Sequence, residues 1–340
     1  MLTVLDLFAG AGGLSAGLAA AGLDVVAAAE RDGDALATFA CLHPSARLLA
    51  GDIALADFRE LRGSIDVVAG GPPCQPWSAG GKGLGRDDPR DGIPQFVRAV
   101  REIRPRAFLM ENVPGLAREA MRPALGYLMH SLTGLGYDVG WRVLRAADYG
   151  VPQSRRRLFV MGLAAGAGGA PQWPAATHGE GLGRPLTPAG EVLDPRRITG
   201  EPNLSKVVYA RRPDLRRDPY DGQLFNGGGR PINLRALAPT MLASMGGNKT
   251  PWLDTLGVVP GYHAHLQAGG APRTGLVPGA RRITVTEAAA LQTFPAGTTF
   301  AGPRSSQYRQ IGNAVPPALA RAVGDVLAAL AGAPARTILA

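Results

Sequence analysis

Short apolar runs alternate with helical spacings over the first half of the chain. Thr3–Leu7 reads as a strand, followed by a glycine turn and a helix from about Leu14 to Ala21. Val25–Ala29 is a second strand and Asp34–Cys41 a second helix; Ile65–Val68 and Ala107–Met110 are buried strands that stop where glycine or polar residues begin. Helical spacing recurs over Gln95–Ile103 and Ala124–Leu135, and Tyr137–Val143 with Arg157–Leu163 supply a last pair of strands for one edge. Strands alternating with helices predict a parallel, doubly wound α/β sheet. Beyond Ala164 the periodicity dissolves into Gly, Pro and Arg, although Trp173, Tyr209, Tyr220, Phe225, Trp252 and Tyr262 are enough aromatics for a small folded module. Helical order returns at Thr286–Thr293 and in an amphipathic Pro316–Leu330 helix opened by two prolines. The pattern divides the chain into one domain from residues 1–163 plus 284–340 and a smaller one from 164–283.

Composition sharpens this only a little. Thirty-six Lys plus Arg against 27 Asp plus Glu give a formal charge of +9, which suits a polyanionic partner. Only Lys82, Lys206 and Lys249 are lysines, so the arginine excess is equally a mark of GC-rich coding. Two cysteines, Cys41 and Cys74, are too few for a disulfide framework, and no Cys/His cluster suggests zinc; His263 and His265 read as part of a solvated loop. The start Met1–Asp6 has no basic, cleavable leader, and no apolar run is free enough of glycine to span a bilayer, so a cytoplasmic protein is expected.

Three places carry chemistry. In Asp6-Leu-Phe8-Ala-Gly10-Ala-Gly12-Gly13-Leu14 a strand passes through glycines into a helix, where backbone N–H groups can approach a ligand. A dinucleotide fingerprint would want glycine where this chain has Ser15. Glu30, just past the second strand, is placed for a ribose hydroxyl pair, and Asp52, in Gly51-Asp52-Ile53, for an adenine amino group. Next, Gly70-Gly71-Pro72-Pro73-Cys74-Gln75-Pro76 leaves the Ile65–Val68 strand at its carboxyl end and presents one thiol on a stiffened loop. A thiol of pKa ~8.5 is a potent nucleophile through its thiolate fraction. An inert buried cysteine describes Cys41 in its helix, not Cys74. Finally Glu111-Asn112-Val113 ends a strand on the same sheet edge, where apolar walls raise a carboxyl pKa. In Gln153-Ser154-Arg155-Arg156-Arg157, alternation points Arg155 and Arg157 the same way, toward a phosphate or a base carbonyl, or simply into solvent.

In this order the segments resemble the DNA cytosine-5 methyltransferase family across nearly the whole chain. Asp6–Leu14 resembles its S-adenosyl-L-methionine loop; Pro73-Cys74-Gln75 its catalytic loop; Glu111-Asn112-Val113 its acid motif; Gln153–Arg157 its Q-x-R-x-R motif. Arg235–Thr240 resembles the segment supporting the recognition domain, and Gln310-Ile-Gly312-Asn313-Ala-Val315-Pro316-Pro317 the closing cofactor motif. The resemblance implies an S-adenosylmethionine-dependent methyltransferase with a target-recognition domain at 164–283. Cys74 would add to C6 of a flipped cytosine, Glu111 would assist at N3, and Arg157 with Arg155 would hold the base oxygen and a phosphate. Phe8, Gly10, Gly12, Gly13, Glu30, Asp52, Ile53, Pro73, Asn313 and Val315 would hold the cofactor. Ser78, Lys82, Arg86 and Arg90, in the glycine-hinged stretch Ala79–Gly92, would meet DNA. Double-stranded DNA is the implied partner of a monomer, with a restriction endonuclease as a separate protein and no membrane. Two readings stay beside this one: a tRNA-directed relative on the same fold, and a catalytically silent DNA-binding protein.

Overall fold

The computed structural model describes residues 1–73, 91–165, 169–226 and 228–332. Cys74, Ser78, Lys82, Arg86 and Arg90 lie outside the described residues.

The predicted α/β module forms. Its elements are β1 (Thr3–Leu7), α1 (Gly13–Ala20), β2 (Asp24–Glu30), α2 (Gly33–Leu42), β3 (Arg47–Ala50), β4 (Val67–Gly70), α3 (Ile93–Ile103), β5 (Ala107–Asn112), α4 (Arg122–Thr133), β6 (Tyr137–Arg145), β7 (Gln153–Ser154) and β8 (Arg156–Ala164). Seven strands make one sheet in the order β3-β2-β1-β4-β5-β8-β6. The first five run parallel; β8 is antiparallel to both β5 and β6. The chain order reverses between β1 and β4, the crevice where open α/β sheets take their ligands. Apolar side chains cover both sheet faces. One face packs Leu14 and Leu18 with Leu319, Val323 and Leu327; the other packs Phe96, Val100, Leu125 and Leu128 against Phe108. At about 1.5–3 kcal/mol per large apolar side chain, these two layers are what hold the sheet.

Beyond β8 the chain adds β9 (Tyr209–Asp214), β10 (Gln223–Phe225), β11 (Ala238–Pro239), β12 (Trp252–Asp254), α5 (Val258–Gln267) and β13 (Ala280–Arg282), the strands pairing, among the described residues, in two-stranded sheets and isolated bridges. Tyr209, Phe225, Trp252 and Tyr262 make its core, with Tyr209–Tyr262 rings 4.8 Å and Phe225–Trp252 rings 5.0 Å apart. Trp173 does not join them. It packs on the first module, where Tyr149 also donates to the Pro174 carbonyl (3.0 Å). The chain then returns through α6 (Val285–Leu291), α7 (Arg304–Asn313) and α8 (Pro317–Gly332).

Several expectations need correction. Cys41 is exposed: α2 buries Ala35, Thr38 and Phe39, and position 41 falls off that face. His263 lies in α5 rather than a solvated loop. With Val259 and Tyr262 it occupies the i, i+3, i+4 buried face, its Nε2 2.7 Å from the Arg216 carbonyl. Helix α7 gave no apolar period because Tyr308 and Ile311 are its only large apolar residues. Strand β3, an edge strand with most positions exposed, gave no alternation. Among the described residues Arg304–Gly332 is long and apolar enough to cross a membrane. Pro316 and Pro317 divide it, however, and α8 is a core helix packed on α1.

Candidate active site

Parallel pairing brings the carboxyl ends of β1, β2, β3, β4 and β5 to one edge, so Phe8, Glu30, Asp52, Pro73 and Glu111 gather there from distant parts of the chain. After β1 the backbone turns through Phe8 (φ +55°), Gly10 (φ +54°) and Gly12 (φ +83°), left-handed conformations that glycine adopts without strain. Where a side chain at Gly10 would begin there is open space. Gly13 is glycine for the opposite reason, since a Cβ would stand 2.5 Å from the Val315 carbonyl. The first glycine turn and the closing segment are therefore in contact, with Val315 buried and Asn313 exposed.

Glu30 lies under this turn. Its Oε2 accepts from the Gly10 N–H (2.9 Å) and its Oε1 from those of Arg31 and Asp32 (2.8 Å each). A carboxylate has about four acceptor positions, so one is left for a ligand hydroxyl, fewer than the hydroxyl pair expected. Asp52 is exposed and accepts from the Ala54 N–H (2.9 Å); Ile53 is half-buried, its carbonyl bonded by Arg98 Nη2 (2.6 Å). Ser15, the departure from the dinucleotide fingerprint, has a partner: its hydroxyl donates to Asp6 Oδ2 (2.6 Å). Asp6 is fully buried, Oδ1 has no hydrogen-bond partner, and burial lifts its pKa to about 7 against the pull of Ser15.

The loop leaving β4 is held at both described ends. Asn112 Nδ2 donates to the Pro72 carbonyl (2.9 Å), and the Gly92 N–H donates to the Pro73 carbonyl (2.9 Å). A side chain at Gly92 would stand 2.6 Å from Pro73 and 2.9 Å from the Phe8 ring, so the segments on either side of Cys74 and the first glycine turn converge there. Sequence reading missed both holds. An Asp-Gly pair before a helix with proline in its first turn was the one local sign of Gly92.

Glu111 sits beside this loop, and a Cβ on Gly71 would lie 3.2 Å from its Oε2. Because β8 runs antiparallel to β5, Glu111 faces Phe159, and Arg157, two residues along, is its diagonal neighbour. The Arg157 Nε lies 2.7 Å from Glu111 Oε1, and both side chains are largely buried. Burial raises the Glu111 pKa, against the opposing pull of Arg157 and then Arg155. Arg155 does not share Arg157's outlook. Strand pairing breaks between β7 and β8, and Arg155 is fully buried, its guanidinium donating to the carbonyls of Met241 (2.9 Å), Gly312 (2.9 Å) and Ala314 (2.8 Å). That placement corrects the expectation of a base or phosphate contact: both Nη groups are engaged by backbone carbonyls, and the whole side chain, Nε included, is buried.

Comparison with known proteins identifies the family. The model of the C-5 cytosine-specific DNA methylase family matches residues 2–176 and 261–329. The chain belongs to that family. The unmatched stretch between the two blocks falls inside the loop-rich module. Among curated relatives, the methylase is 33% identical over 345 residues to the Type II methyltransferase M.Eco47II of Escherichia coli, covering 95% of this chain and 78% of that one. It is 32% identical over 328 residues to M.NgoMIV of Neisseria gonorrhoeae, covering 95% and 96%. Among solved structures, a mutant of Spodoptera frugiperda DNMT2 superposes with a TM-score of 0.71 over 97% of this chain and 99% of that one, at 17% identity, a likeness of fold. Membership of the family makes the methylase a DNA (cytosine-5)-methyltransferase.

Proposed function

We propose that this methylase transfers the methyl group of S-adenosyl-L-methionine to C5 of a cytosine flipped out of a specific double-stranded DNA sequence, through a covalent bond between Cys74 and C6. The observation that carries the reading is the buried Glu111–Arg157 pair beside the Pro72–Pro73 backbone that leads into Cys74.

The residues at the β1 turn fit the cofactor. Gly10 opens onto free space, Glu30 keeps one acceptor position, exposed Asp52 can accept from an amino group, and Phe8 offers a half-buried ring. Ile53, Gly12, Gly13, Pro73, Asn313 and Val315 complete the set. When bound, S-adenosylmethionine supplies an electrophilic methyl group.

The chain's own residues supply the rest. Cytosine C5 is a poor nucleophile until the Cys74 thiolate adds to C6 and makes it enamine-like. Glu111, its pKa raised, carries a proton to share with N3; Arg157, anchored by Glu111, presents its remaining N–H groups to the base oxygen. Loss of the C5 proton to water then re-forms the C5–C6 double bond and breaks the C6–S bond, expelling the Cys74 thiolate. A stacked base is closed to attack from above its ring, so the base is flipped, at a cost of a few kcal/mol. Ser78, Lys82, Arg86 and Arg90 contact the DNA backbone in this reading. Sequence recognition falls to 164–283, where Arg211, Arg212, Arg216 and Arg217 are all exposed. The enzyme works in the cytoplasm as a monomer, with any restriction endonuclease a separate protein.

The test is bisulfite sequencing of plasmid DNA from a methylation-free host expressing the chain, beside a Cys74→Ala control. Methylated cytosines in one short motif, absent from the control, are expected. Unmodified plasmid with soluble protein would overturn the reading, and methylation of tRNA instead would replace it.

A further inference from the structure

Three stretches far apart in the chain meet at one buried polar knot. Arg155 bonds the Met241 carbonyl with Nη1 and the Gly312 and Ala314 carbonyls with Nη2. Gln292 Nε2 donates to the carbonyls of Ile311 (2.9 Å) and Ala314 (2.7 Å), so Ala314 is held twice. Gln153 joins the two: its Nε2 donates to Gln292 Oε1 (2.6 Å), and its Oε1 accepts from the Met241 N–H (2.9 Å). Both peptide groups of Met241 are thus engaged from the Gln153–Arg155 segment. The backbones themselves touch. A Cβ on Gly312 would stand 2.3 Å from the Leu242 carbonyl, so residue 312 runs directly under 242–243. Arg155, Gln153 and Gln292 are all completely buried.

A knot of this kind costs much desolvation, the more so because the Arg155 Nε is buried without a partner, and only the bonds from Nη1, Nη2 and the two glutamines offset it. Apolar residues would glue three segments with less demand on geometry. What this polar set adds is register: each carbonyl has one place relative to a planar guanidinium fork. On one side lies 311–315, next to Gly13 of the cofactor turn; on the other lies Met241, at the root of the recognition module where β11 pairs with β7.

We infer that Arg155, fixed by Gln153 and Gln292, is a positioning residue that couples the cofactor-closing segment 311–315 to the root of the recognition module at Met241. The inference rests on the cofactor reading above. Ordering of 311–315 by ligand is transmitted to 240–245 through the Arg155 fork, and ordering of the recognition module by DNA is transmitted back, since such coupling is reciprocal.

Hydrogen exchange on the whole protein, with S-adenosylhomocysteine as ligand and no DNA, tests this. In the unaltered protein, saturating ligand is expected to slow exchange in 311–315 and also in 240–245, by about tenfold. Arg155→Lys, whose compact ammonium cannot span three carbonyls, keeps ligand protection at 311–315 but loses the transmitted part to below about twofold. Gln153→Leu, which frees the Met241 N–H, does the same and decides the matter if Arg155→Lys fails to fold. Arg196→Ala, an exposed arginine of the same module, leaves both effects intact. Protection confined to 311–315 in the unaltered protein, or transmitted undiminished in the variants, would overturn the coupling alone. No binding of S-adenosylhomocysteine by calorimetry would overturn the cofactor reading and the coupling with it.

Discussion

The two modules of this methylase are held together by different means. In the sheet module, regular elements bury continuous apolar faces, and the buried carboxylates Asp6 and Glu111 sit toward the carboxyl ends of β1 and β5. In the loop-rich module, four aromatics form a small core and buried arginines do much of the bracing. Arg282 is 1% exposed and donates to the carbonyls of Thr250 and Lys206; Arg281 makes a two-bond pair with Glu287 (2.9 Å each) while bonding the carbonyls of Asp194 and Arg197. The first kind of structure places side chains such as Glu111 and Arg157 to within a strand register. The second lets loops vary around a few fixed points, which suits the sequence-reading role proposed for it.

If chemistry resides in the sheet module, its catalytic groups should be separable from its stability. Glu111→Gln is expected to leave melting nearly unchanged while lowering methyl transfer by about 10²–10⁴-fold. A proton on the raised Glu111 carboxyl is lost as pH rises through its pKa, so wild-type activity falls on the alkaline side. The variant, having no carboxyl to titrate, should lack that limb in a pH–rate profile. A variant that melts well below wild type would show that the pair with Arg157 is structural instead.

Asp6 is where the sheet module breaks its own rule. Its pKa rises to about 7 in the folded protein against 3.8 in an ordinary environment, so between those values the native state holds a proton that the unfolded chain has lost. Stability therefore decreases as pH rises from about 4 to about 7, by at most about 4 kcal/mol, and is flat above. Asp6→Asn keeps an acceptor for the Ser15 hydroxyl without a charge. It should be clearly more stable than wild type at pH 8 and close to it near pH 4 in urea melts. An equal difference at both pH values would mean that Asp6 does not titrate in this range.

For the loop-rich module the comparison predicts a stability loss instead of a lost reaction. Arg282→Met leaves the buried Thr250 carbonyl without its donor and the part-buried Lys206 carbonyl without this one, and should cost about 3 kcal/mol, read as a lower denaturant midpoint and faster proteolysis within 203–283. Unchanged proteolysis would mean that the aromatic core alone holds the module.

This contrast also explains what the sequence made legible. Periodicity found the strands and helices of the sheet because burial on a regular face writes itself into spacing. The carboxyl edge was legible for the same reason: Glu111, Pro73 and Glu30 each follow an apolar run. Alternation failed at Arg155, where the ladder breaks and the side chain turns inward to carbonyls 86 to 159 residues away. Gln292, Asn112 and Thr38 likewise act on partners without local signature; Thr38 donates to Gln310 Oε1 (2.7 Å) to dock α7. The aromatics of the second module were visible as composition, but nothing separated Trp173, which packs elsewhere, from the four that form the core.

The smallest effect is expected at the seam where the chain re-enters the sheet module. Thr293 follows the C-cap of α6 with φ +62°, a position that favours glycine and strains a β-branched residue. Its hydroxyl nevertheless accepts from the Ala318 N–H (3.1 Å), in the first turn of α8. Two terms of about 1 kcal/mol thus oppose each other, backbone strain and an end-cap supplied from outside the helix. Thr293→Gly removes both and should change stability by less than about 1 kcal/mol. Thr293→Asn relieves part of the strain, because asparagine enters this conformation more readily, while offering an oxygen to the same N–H. It should melt slightly above wild type. If both variants instead melt several degrees lower, the hydroxyl bond to α8 outweighs the strain, and the seam is stabilised by polar contact in the manner of the loop-rich module.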